Sequence, residues 1–265
     1  MPSLIQLLTK TGVGSRRYCF ELIKNGNVRV NGREQLSAAT LIDFASDQVE
    51  VNGRLIDDVQ PLVYMKLNKP VGVVSTTSDD VGRSIVLDFV PERFRKLRLY
   101  PVGRLDVDTS GLVLLTNDGD LANRLTHPRF EVEKEYYALI DAELTDRQLH
   151  ALEDGVMVQG IKTSRAKVKR MVNRDAPWYS LIIHEGRKHQ VRNMFRAVGC
   201  EVHNLQRVRI RNLLLGSLKS GKVLELTGDE YQNLSSAISP NPRLPKKARL
   251  YKSPQFKPRL RLRKK

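Results

Sequence analysis

Apolar residues in the first 60 positions recur first at helical and then at strand spacing. Two short amphipathic helices are predicted, with these apolar faces: Leu4, Leu7 and Leu8 in the first, and Cys19, Phe20 and Ile23 in the second. Ser15 is a suitable N-cap for the second helix, and Gly26 ends it. Two short strands follow at residues 27–31 and 48–52, and each closes on Asn-Gly. The pattern predicts a compact N-terminal unit over residues 1–60.

Strand-like and helix-like runs are mixed in the central part of the chain. Strands are predicted within residues 63–75, in the run that leads to residue 106, and at 112–116, 134–141, 163–172, 178–183 and 202–209. Helices are predicted at 120–125, from the cap Thr145 to Gly155, at 188–198, and after the cap Thr227. This order is neither a regular βαβ series nor an all-β series. It predicts an α+β fold with a mostly antiparallel, mixed sheet flanked by helices, over residues 61–238.

The helix predicted at 188–198 has two distinct faces. Its apolar residues follow helical spacing and should pack on the sheet: Val191, Met194, Phe195 and Val198. Lys188, Arg192 and Arg196 are four residues apart and form a basic stripe beside that face. Such a stripe is usually solvated surface, but here Arg192 could pair with a carboxylate at the rim of the sheet.

Charge points to a polyanionic partner. The chain has 265 residues, enough for two domains, and 40% of them are hydrophobic, enough for a packed core. The formal net charge is +16 and it is uneven, because residues 1–60 are neutral overall whereas residues 241–265 carry eleven Lys or Arg and no acid. This excess favours nucleic acid ahead of a membrane as the partner.

The segment 239–265 is rich in Pro, Lys and Arg and lacks apolar periodicity, so we expect it to be disordered in the free protein. It is either a solubilising tail or a non-specific RNA-binding arm, and its lack of acids favours the arm. No apolar run is long enough to span a bilayer, and no signal-peptide core is present. Cys19 and Cys200 are predicted to be reduced core thiols, as is typical of a cytoplasmic protein.

A cluster of basic residues marks the N-terminal unit. Arg16 and Arg17 lie in the first turn of the second predicted helix, where positive charge opposes the helix dipole by roughly 0.3–1 kcal/mol each. Exposed arginines carry little cost on any surface, so the pair could be incidental. With Lys10, Lys24 and Arg29 expected nearby, we favour a face that binds phosphates.

The segment Gly103–Gly111 carries the strongest candidate chemistry. An apolar run ends in this acid-rich loop and a second apolar run follows, which places Asp106 and Asp108 at the rim of a sheet. A generic loop of this kind would be a simple polar connection, but Arg104 lies two residues before Asp106 in a strongly basic protein. The sequence has no phosphate-binding loop, dinucleotide turn, zinc-ligand spacing or nucleophile elbow. The remaining candidates are a carboxylate, an arginine and an aromatic hydroxyl that act on nucleic acid without a cofactor or metal.

Two family resemblances follow from these motifs. The N-terminal region contains the motif Gly-Val-Gly-Ser-Arg-Arg and, later, Leu-Ile-Lys-Asn-Gly-Asn-Val-Arg-Val-Asn-Gly. With these motifs, it resembles the S4 RNA-binding domain over about residues 3–55. Pro2-Ser3 stands where that family usually has a basic residue. The central region contains three further motifs: Gly-Arg-Leu-Asp-Val-Asp-Thr-Ser-Gly-Leu, Glu-Val-Glu-Lys-Glu-Tyr and Glu-Gly-Arg-Lys-His-Gln-Val-Arg. With these motifs, the chain resembles the RsuA-type, single-site ribosomal RNA pseudouridine synthases over about residues 62–230.

The second resemblance implies roles for four residues. Asp106 matches the catalytic aspartate, Tyr136 the tyrosine that lies against the target base, and Arg192 the arginine that pairs with the aspartate. Arg104 matches the residue that holds the place or the phosphate of the flipped nucleotide. Asp108 is expected to have a lesser, supporting role. Lys188 and Arg196 are expected to contact RNA beside this site.

The resemblance also implies the reaction. A uridine is flipped out of its stack, the N1–C1′ bond is broken, and the base is rejoined through C5. Asp106 either attacks C1′ or removes a ribose 2′ proton, and the sequence leaves both routes open. Other motifs, among them Leu-Ala-Asn-Arg-Leu-Thr-His-Pro, favour large-subunit 23S RNA over 16S RNA. We therefore expect a cytoplasmic, monomeric enzyme that acts on ribosomal RNA, without a cofactor and without a membrane.

Two other functions fit the same composition. A non-catalytic S4-type ribosome-binding or assembly protein would use the middle domain only as a scaffold, and the presence of Asp106, Tyr136 and Arg192 argues against it. A glycosidase or base-removing enzyme would need a second carboxylate to direct water and would release free base. Isomerisation leaves the mass of the RNA unchanged, whereas base removal lowers it.

Overall fold

The computed structural model describes residues 1–56, 59–172, 174–236 and 238. The N-terminal elements are α1 (Leu4–Lys10), α2 (Arg16–Lys24), β1 (Val28–Val30), β2 (Arg33–Glu34), β3 (Val49–Val51) and β4 (Arg54–Ile56). The later elements are β5 (Tyr64–Lys69), β6 (Tyr100–Pro101), β7 (Ser110–Thr116), α3 (Gly119–Thr126), β8 (Lys134–Ile140), α4 (Asp146–Asp154), β9 (Met157–Val158), β10 (Ile161–Lys162), β11 (Lys167–Arg170), β12 (Trp178–Ile183), α5 (Gln190–Ala197), β13 (Val202–Ile210), β14 (Leu213–Leu214), β15 (Val223–Glu225) and α6 (Gly228–Ser235).

The N-terminal elements share one hydrophobic core. Ser15 caps α2, since its side chain accepts a hydrogen bond from the Tyr18 N–H, and the short strands form a sheet in the order β2-β1-β3-β4. Fully buried members of the core come from both helices, from the sheet and from the loop before β3: Leu4, Leu8, Cys19, Val28, Ile42 and Val49. The helices and strands predicted for this region are therefore present, together with two further short strands.

A larger mixed sheet forms the centre of the protein. Its strands run in the order β11-β12-β8-β13-β7-β5-β15, with β14 beside β13 and β6 beside β7. All of these pairs are antiparallel except β7 with β13, which is parallel. The predicted α+β fold with a mostly antiparallel sheet is confirmed.

Helices cover both faces of this sheet. Successive residues of β7 point to opposite faces, so this strand supplies apolar side chains to both sides. Val113 and Leu115 face a core that includes Leu152 of α4 and Phe195 of α5. Their neighbours in the strand face a second core, which is shared with α3 and α6: Leu112, Leu114, Leu121, Leu125 and Leu234. The apolar run of β7 is thus nearly continuous because this strand is buried on both faces.

Two predicted boundaries are wrong, and both corrections concern the loops beside the cavity described below. The strand expected to run into Asp106 stops at Pro101, and Gly103, with φ +73°, turns the chain away from β7. The helix expected from Lys188 begins at Gln190, because His189 has φ +53°, a left-handed conformation that cannot continue a helix. Lys188 therefore lies in the preceding loop and not on the basic stripe of α5.

Both cysteines are buried and free, as predicted. Within the described ranges, no helix is long and apolar enough to cross a membrane. The segment 239–265, predicted to be disordered, lies outside the described residues.

Gly111 allows the parallel strands β7 and β13 to approach closely. It has φ +108°, and a Cβ atom there would lie 2.2 Å from the carbonyl oxygen of Arg207. A side chain would have to displace backbone atoms, and no flexible side chain is there to yield.

We predict that Gly111→Ala lowers the free energy of unfolding by about 3 kcal/mol or more, because it adds a backbone clash to the conformational cost. Gly199→Ala is the matched control, since Gly199 has φ +84° but open space around its Cβ position. That variant should lose only about 1 kcal/mol in urea unfolding. Equal losses in the two variants would show that the strand contact does not need a glycine.

Candidate active site

A buried anchor holds the loop between β6 and β7 that carries Asp106. The Ser75 hydroxyl donates a hydrogen bond to the Leu105 carbonyl (3.0 Å) and accepts one from the Leu105 N–H (3.1 Å). The Thr109 N–H donates to the Asp106 carbonyl (3.1 Å), which closes the turn. Because Leu105 is fixed and buried, the side chain of Asp106 is held at the surface, 36% exposed.

Asp106 lies at the edge of a cavity of about 290 Å³. The cavity is closed by the loop after β6, by strands β8 and β13, and by the loop between β12 and α5. Of the residues predicted for the site, Asp106, Tyr136, Arg104 and Lys188 line it. The other polar lining residues are Thr109, Thr126, Lys134, His184, Glu185, Arg187, His189, Gln190 and Arg207. Arg104 and Lys188 are exposed, so the mouth of the cavity is basic.

Strand register explains why these side chains meet. Tyr136 in β8 lies opposite Arg207 in β13, and Arg207 lies opposite Gly111 in β7. Gly111 in turn lies opposite Lys69 in β5. Opposite residues point to the same face, so one row across four strands carries Tyr136, Arg207 and Lys69 below the loop of Asp106. These three side chains are 8%, 2% and 0% exposed.

Arg192 does not pair with Asp106, contrary to the prediction. Its Nε lies 2.9 Å from a carboxylate oxygen of Asp108, an ion pair without hydrogen-bond geometry. Its other two nitrogens donate to the carbonyl oxygens of Val202 (2.7 Å) and Asp108 (3.1 Å). One guanidinium thus links α5, the start of β13 and the loop before β7. Arg192 fixes the position of the loop through Asp108, and so Asp108 has a larger structural role than expected.

Asp106 has a neighbour, His189, that the sequence did not single out for the site. The Nδ1 atom of His189 lies 3.7 Å from Asp106 Oδ2, and the left-handed backbone of His189 turns the chain just before α5. In the sequence, His189 stands out only together with His184, as a poor zinc-ligand pair. Its position directly before a basic amphipathic helix was the available signal. Strain of this kind is concentrated at functional sites.

Buried Lys69 and Arg207, together with the half-buried Lys134, give the site a cationic floor. Lys69 Nζ donates to the carbonyl oxygens of Pro70 (2.9 Å) and Val73 (2.8 Å), and burial lowers its pKa to about 8 although Asp108 and Asp106 oppose the shift. Lys134 Nζ donates to the Val132 carbonyl (3.0 Å), and burial together with Arg207 lowers its pKa to about 8. Neither lysine was singled out from the sequence, because burial of a lysine inside a strand has no local signal.

The other predicted RNA-binding residues lie outside the cavity. Arg16, Arg17, Lys24 and Arg29 are exposed on the N-terminal elements. Lys10 lies 3.8 Å from the Asp120 carboxylate, which offsets part of its charge. Arg196 is exposed on α5 and donates to the Asn193 side chain (3.2 Å). Their contacts with RNA remain predictions.

Among the described residues, no group of three or more His, Cys, Asp or Glu is placed to hold a metal ion.

The lowered pKa of Lys134 makes stability depend on pH. The folded protein releases this proton near pH 8, whereas the unfolded chain keeps it to about pH 10.4. The unfolded state therefore binds more protons between about pH 8 and 10, and the free energy of unfolding rises with pH in that window.

We predict that Lys134→Met removes this contribution, so that its stability slope is lower than that of the wild type by ~1 kcal/mol per pH unit. Burial raises the pKa of Cys19 and Cys200, and this makes the free energy of unfolding fall with pH. The contribution of Lys134 is therefore measured as a difference from the wild type. Lys167→Met, at an exposed lysine, should keep the wild-type slope in urea unfolding from pH 7 to 10. Identical slopes for all three proteins would contradict the assignment.

Comparison with known proteins agrees with this geometry. A family model described as RNA pseudouridylate synthase matches residues 63–197. The "Ribosomal large subunit pseudouridine synthase B" of Bacillus subtilis (strain 168) is 42% identical over 240 residues, which cover 88% of this chain and 96% of that protein. The "Dual-specificity RNA pseudouridine synthase RluF" of Escherichia coli (strain K12) is 36% identical over 266 residues, 96% of this chain and 88% of that protein.

A solved structure described as "Crystal structure of pseudouridylate synthase" superposes with a TM-score of 0.63 at 31% identity, covering 88% of this chain and all of that chain. The matched family segment contains Asp106, Tyr136 and Arg192, and the first relative is aligned over nearly its whole length. The chain therefore belongs to the RNA pseudouridylate synthase family.

Proposed function

We propose that this protein converts a specific uridine of ribosomal RNA, in the large subunit, to pseudouridine. The observation that carries the proposal is the position of Asp106, a carboxylate at the edge of a cavity that contains Tyr136 and several basic residues. The names of its relatives supply the RNA class, since the relative from Bacillus subtilis is named for the large ribosomal subunit. A cytoplasmic monomer that needs no cofactor is part of the same proposal.

The reaction needs a base outside its stack. Breaking the N1–C1′ bond, turning the uracil and forming the C5–C1′ bond require free space around the base, so the nucleotide must be flipped into the cavity. N1 gains a proton and C5 loses one, and the product therefore has the mass of the substrate. Asp106 either attacks C1′ or takes the 2′ proton of the ribose, and both routes need an ionised carboxylate within reach of the sugar.

The residues around Asp106 have different roles in binding and orienting the nucleotide. Tyr136 presents an aromatic face and a hydroxyl to the base. His189 lies beside the carboxylate of Asp106, with its Nδ1 atom 3.7 Å from Oδ2. Arg192 acts indirectly, because it contacts Asp108 in the same loop and does not pair with Asp106. Arg104 and Lys188 are exposed at the mouth, which supports a role in binding backbone phosphates of the flipped strand.

Contacts between RNA and a wider surface of the protein would offset the free energy that flipping the nucleotide costs. Residues 1–60 supply five basic candidates in an S4-like arrangement: Lys10, Arg16, Arg17, Lys24 and Arg29. Arg196 extends the basic surface from the cavity along α5. Phosphate contacts of this kind give affinity without sequence preference, so selection of the target uridine must come from the cavity and the loops around it.

We predict that Asp106→Asn abolishes turnover, with a loss of at least about 10⁴-fold in kcat, because it removes the carboxylate and little else. The protein should still bind RNA, because phosphate contacts do not involve this side chain. Tritium release from ribosomal RNA labelled at C5 of uridine measures turnover, and filter binding measures affinity.

Asp108→Asn is the matched control for that variant, with the same chemical change two residues away. It should retain measurable turnover, since Asp108 also contacts Arg192 through its backbone carbonyl, which the substitution keeps. Tritium release by Asp106→Asn at the wild-type rate would refute the proposed role.

We further predict that deletion of residues 241–265 weakens RNA binding and flattens its dependence on salt, without stopping the reaction. The segment carries eleven basic residues and no acid, and each phosphate that it no longer neutralises lowers the slope of log K against log salt by about 0.7–0.9. Replacing the segment by a neutral Gly-Ser chain of equal length controls for chain length. Unchanged salt slopes in both variants would rule out the RNA-binding arm.

A further inference from the structure

A second concave site lies on the face of the sheet opposite to the cavity of Asp106. Successive residues of a strand point to opposite faces, so Tyr136 lines the cavity while the next residue, Tyr137, lines a groove on the other side. In β13 the same alternation separates Arg207 from Gln206. The groove has a volume of about 480 Å³, against about 290 Å³ for the cavity. A concave site of this size is typical of those that bind ligands.

Strand register brings an aromatic ring and polar side chains together in this groove. Tyr137 in β8 lies between Ser180 in β12 and Gln206 in β13. Ser180 in turn lies opposite Lys169 in β11, and opposite residues point to the same face. Lys169 is exposed and the other three residues are half-buried, so a ligand can contact this row from solvent.

Two side chains of the groove carry hydrogen-bonding groups that no described residue uses. The guanidinium carbon of Arg174 lies 4.5 Å from the ring centroid of Trp178 and 6.0 Å from that of Tyr137, and within the described ranges this side chain makes no hydrogen bond or ion pair. The side-chain amide of Gln206 has no partner in those ranges either. Arg174 is exposed and Gln206 is half-buried, so both groups are accessible. A ring, an amide and a guanidinium together suit a nucleotide, since they offer a stacking surface, donors and an acceptor.

Charge in and around the groove favours an anionic ligand. Its lining carboxylate, Glu135, accepts a hydrogen bond from Arg209 Nε (2.8 Å), which also lines the groove. Arg174 and the exposed Lys169 have no ion pair among the described residues, so their charges are free to attract phosphate. The exposed carboxylate of Asp175, next to Arg174, offsets only part of this charge. Because the chain belongs to a family of RNA-modifying enzymes, the anionic ligand that best fits the groove is RNA.

We propose that this groove binds an unpaired nucleotide of the RNA substrate, at a site separate from the nucleotide that is modified. The base stacks on Tyr137 and contacts the amide of Gln206, while Arg174 and Lys169 attract the phosphates. Proteins that bind single-stranded RNA on an open sheet use aromatic rings and basic groups in this way. An RNA molecule that occupies both sites must pass around an edge of the sheet, because the sites lie on opposite faces. The groove therefore holds a segment that is distant from the target nucleotide.

Trp178 is the only tryptophan in the chain and reports on the groove through Arg174. Titration of the full-length protein with a single-stranded oligouridylate should change the fluorescence of Trp178. Tyr137→Leu removes the ring and should weaken this binding by about 5- to 100-fold, whereas Tyr137→Phe keeps the ring and should bind like the wild type. Arg174→Gln should also weaken binding, and Arg147→Gln, at an exposed arginine of α4, should not.

Turnover distinguishes the groove from the cavity. On a short RNA fragment around the target uridine, Tyr137→Leu should keep the kcat/KM of the wild type. On full-length ribosomal RNA its KM should rise with kcat unchanged, because a contact distant from the target is lost. Damage to the neighbouring Tyr136 would instead lower kcat on both substrates, and that result would count against the groove.

An unchanged fluorescence of Trp178 in the presence of the oligouridylate would overturn the proposal, and it is the result expected of a groove that binds protein. Equal affinities of Tyr137→Leu and Tyr137→Phe would overturn it as well. The titration needs no turnover, so a wild type that responds to the oligouridylate but releases no tritium contradicts the proposed function and not this site. Should Tyr137→Leu not fold, Arg174→Gln decides the outcome through the fluorescence anisotropy of labelled oligouridylate.

Discussion

The close parallel contact between β7 and β13 at Gly111 is the constraint on which the site depends. It is the parallel pair in an otherwise antiparallel sheet, and it needs a residue without a side chain because the Arg207 backbone occupies that space. With this spacing, Arg207 lies between Tyr136 on one side and the start of β7 on the other. The loop that ends in Ser110 then carries Asp106 directly above the row. The carboxylate of Asp106, the ring of Tyr136 and the buried guanidinium of Arg207 are thus positioned by one strand contact.

A network of charges holds the rim of the cavity against this floor. Arg192 connects α5, β13 and the loop through Asp108, and His189 reaches Asp106 from the turn before α5. The floor contains Lys69, Lys134 and Arg207, whose positive charges favour negative charge in the cavity.

Sequence patterns predicted the architecture well but not the detailed pairing within the site. Helical and strand periodicity, capping residues and motif spacing predicted the two helices and paired strands of the N-terminal unit and most elements of the central sheet. The end of the strand before Asp106 and the start of α5 were misplaced, because both depend on single residues with positive φ, Gly103 and His189. The partner of Arg192 could not be read from spacing, since Asp106 and Asp108 are equally close in sequence. Arg207, Lys69 and Thr109 were missed because their importance comes from strand register and burial.

The central claim is that this cavity turns one uridine of large-subunit ribosomal RNA into pseudouridine. It is tested most directly by mapping pseudouridines, nucleotide by nucleotide, in ribosomal RNA from cells with the gene, without it, and with the gene restored. The account predicts that a single large-subunit position loses its pseudouridine when the gene is absent and regains it when the gene returns. Identical maps from all three strains would contradict it.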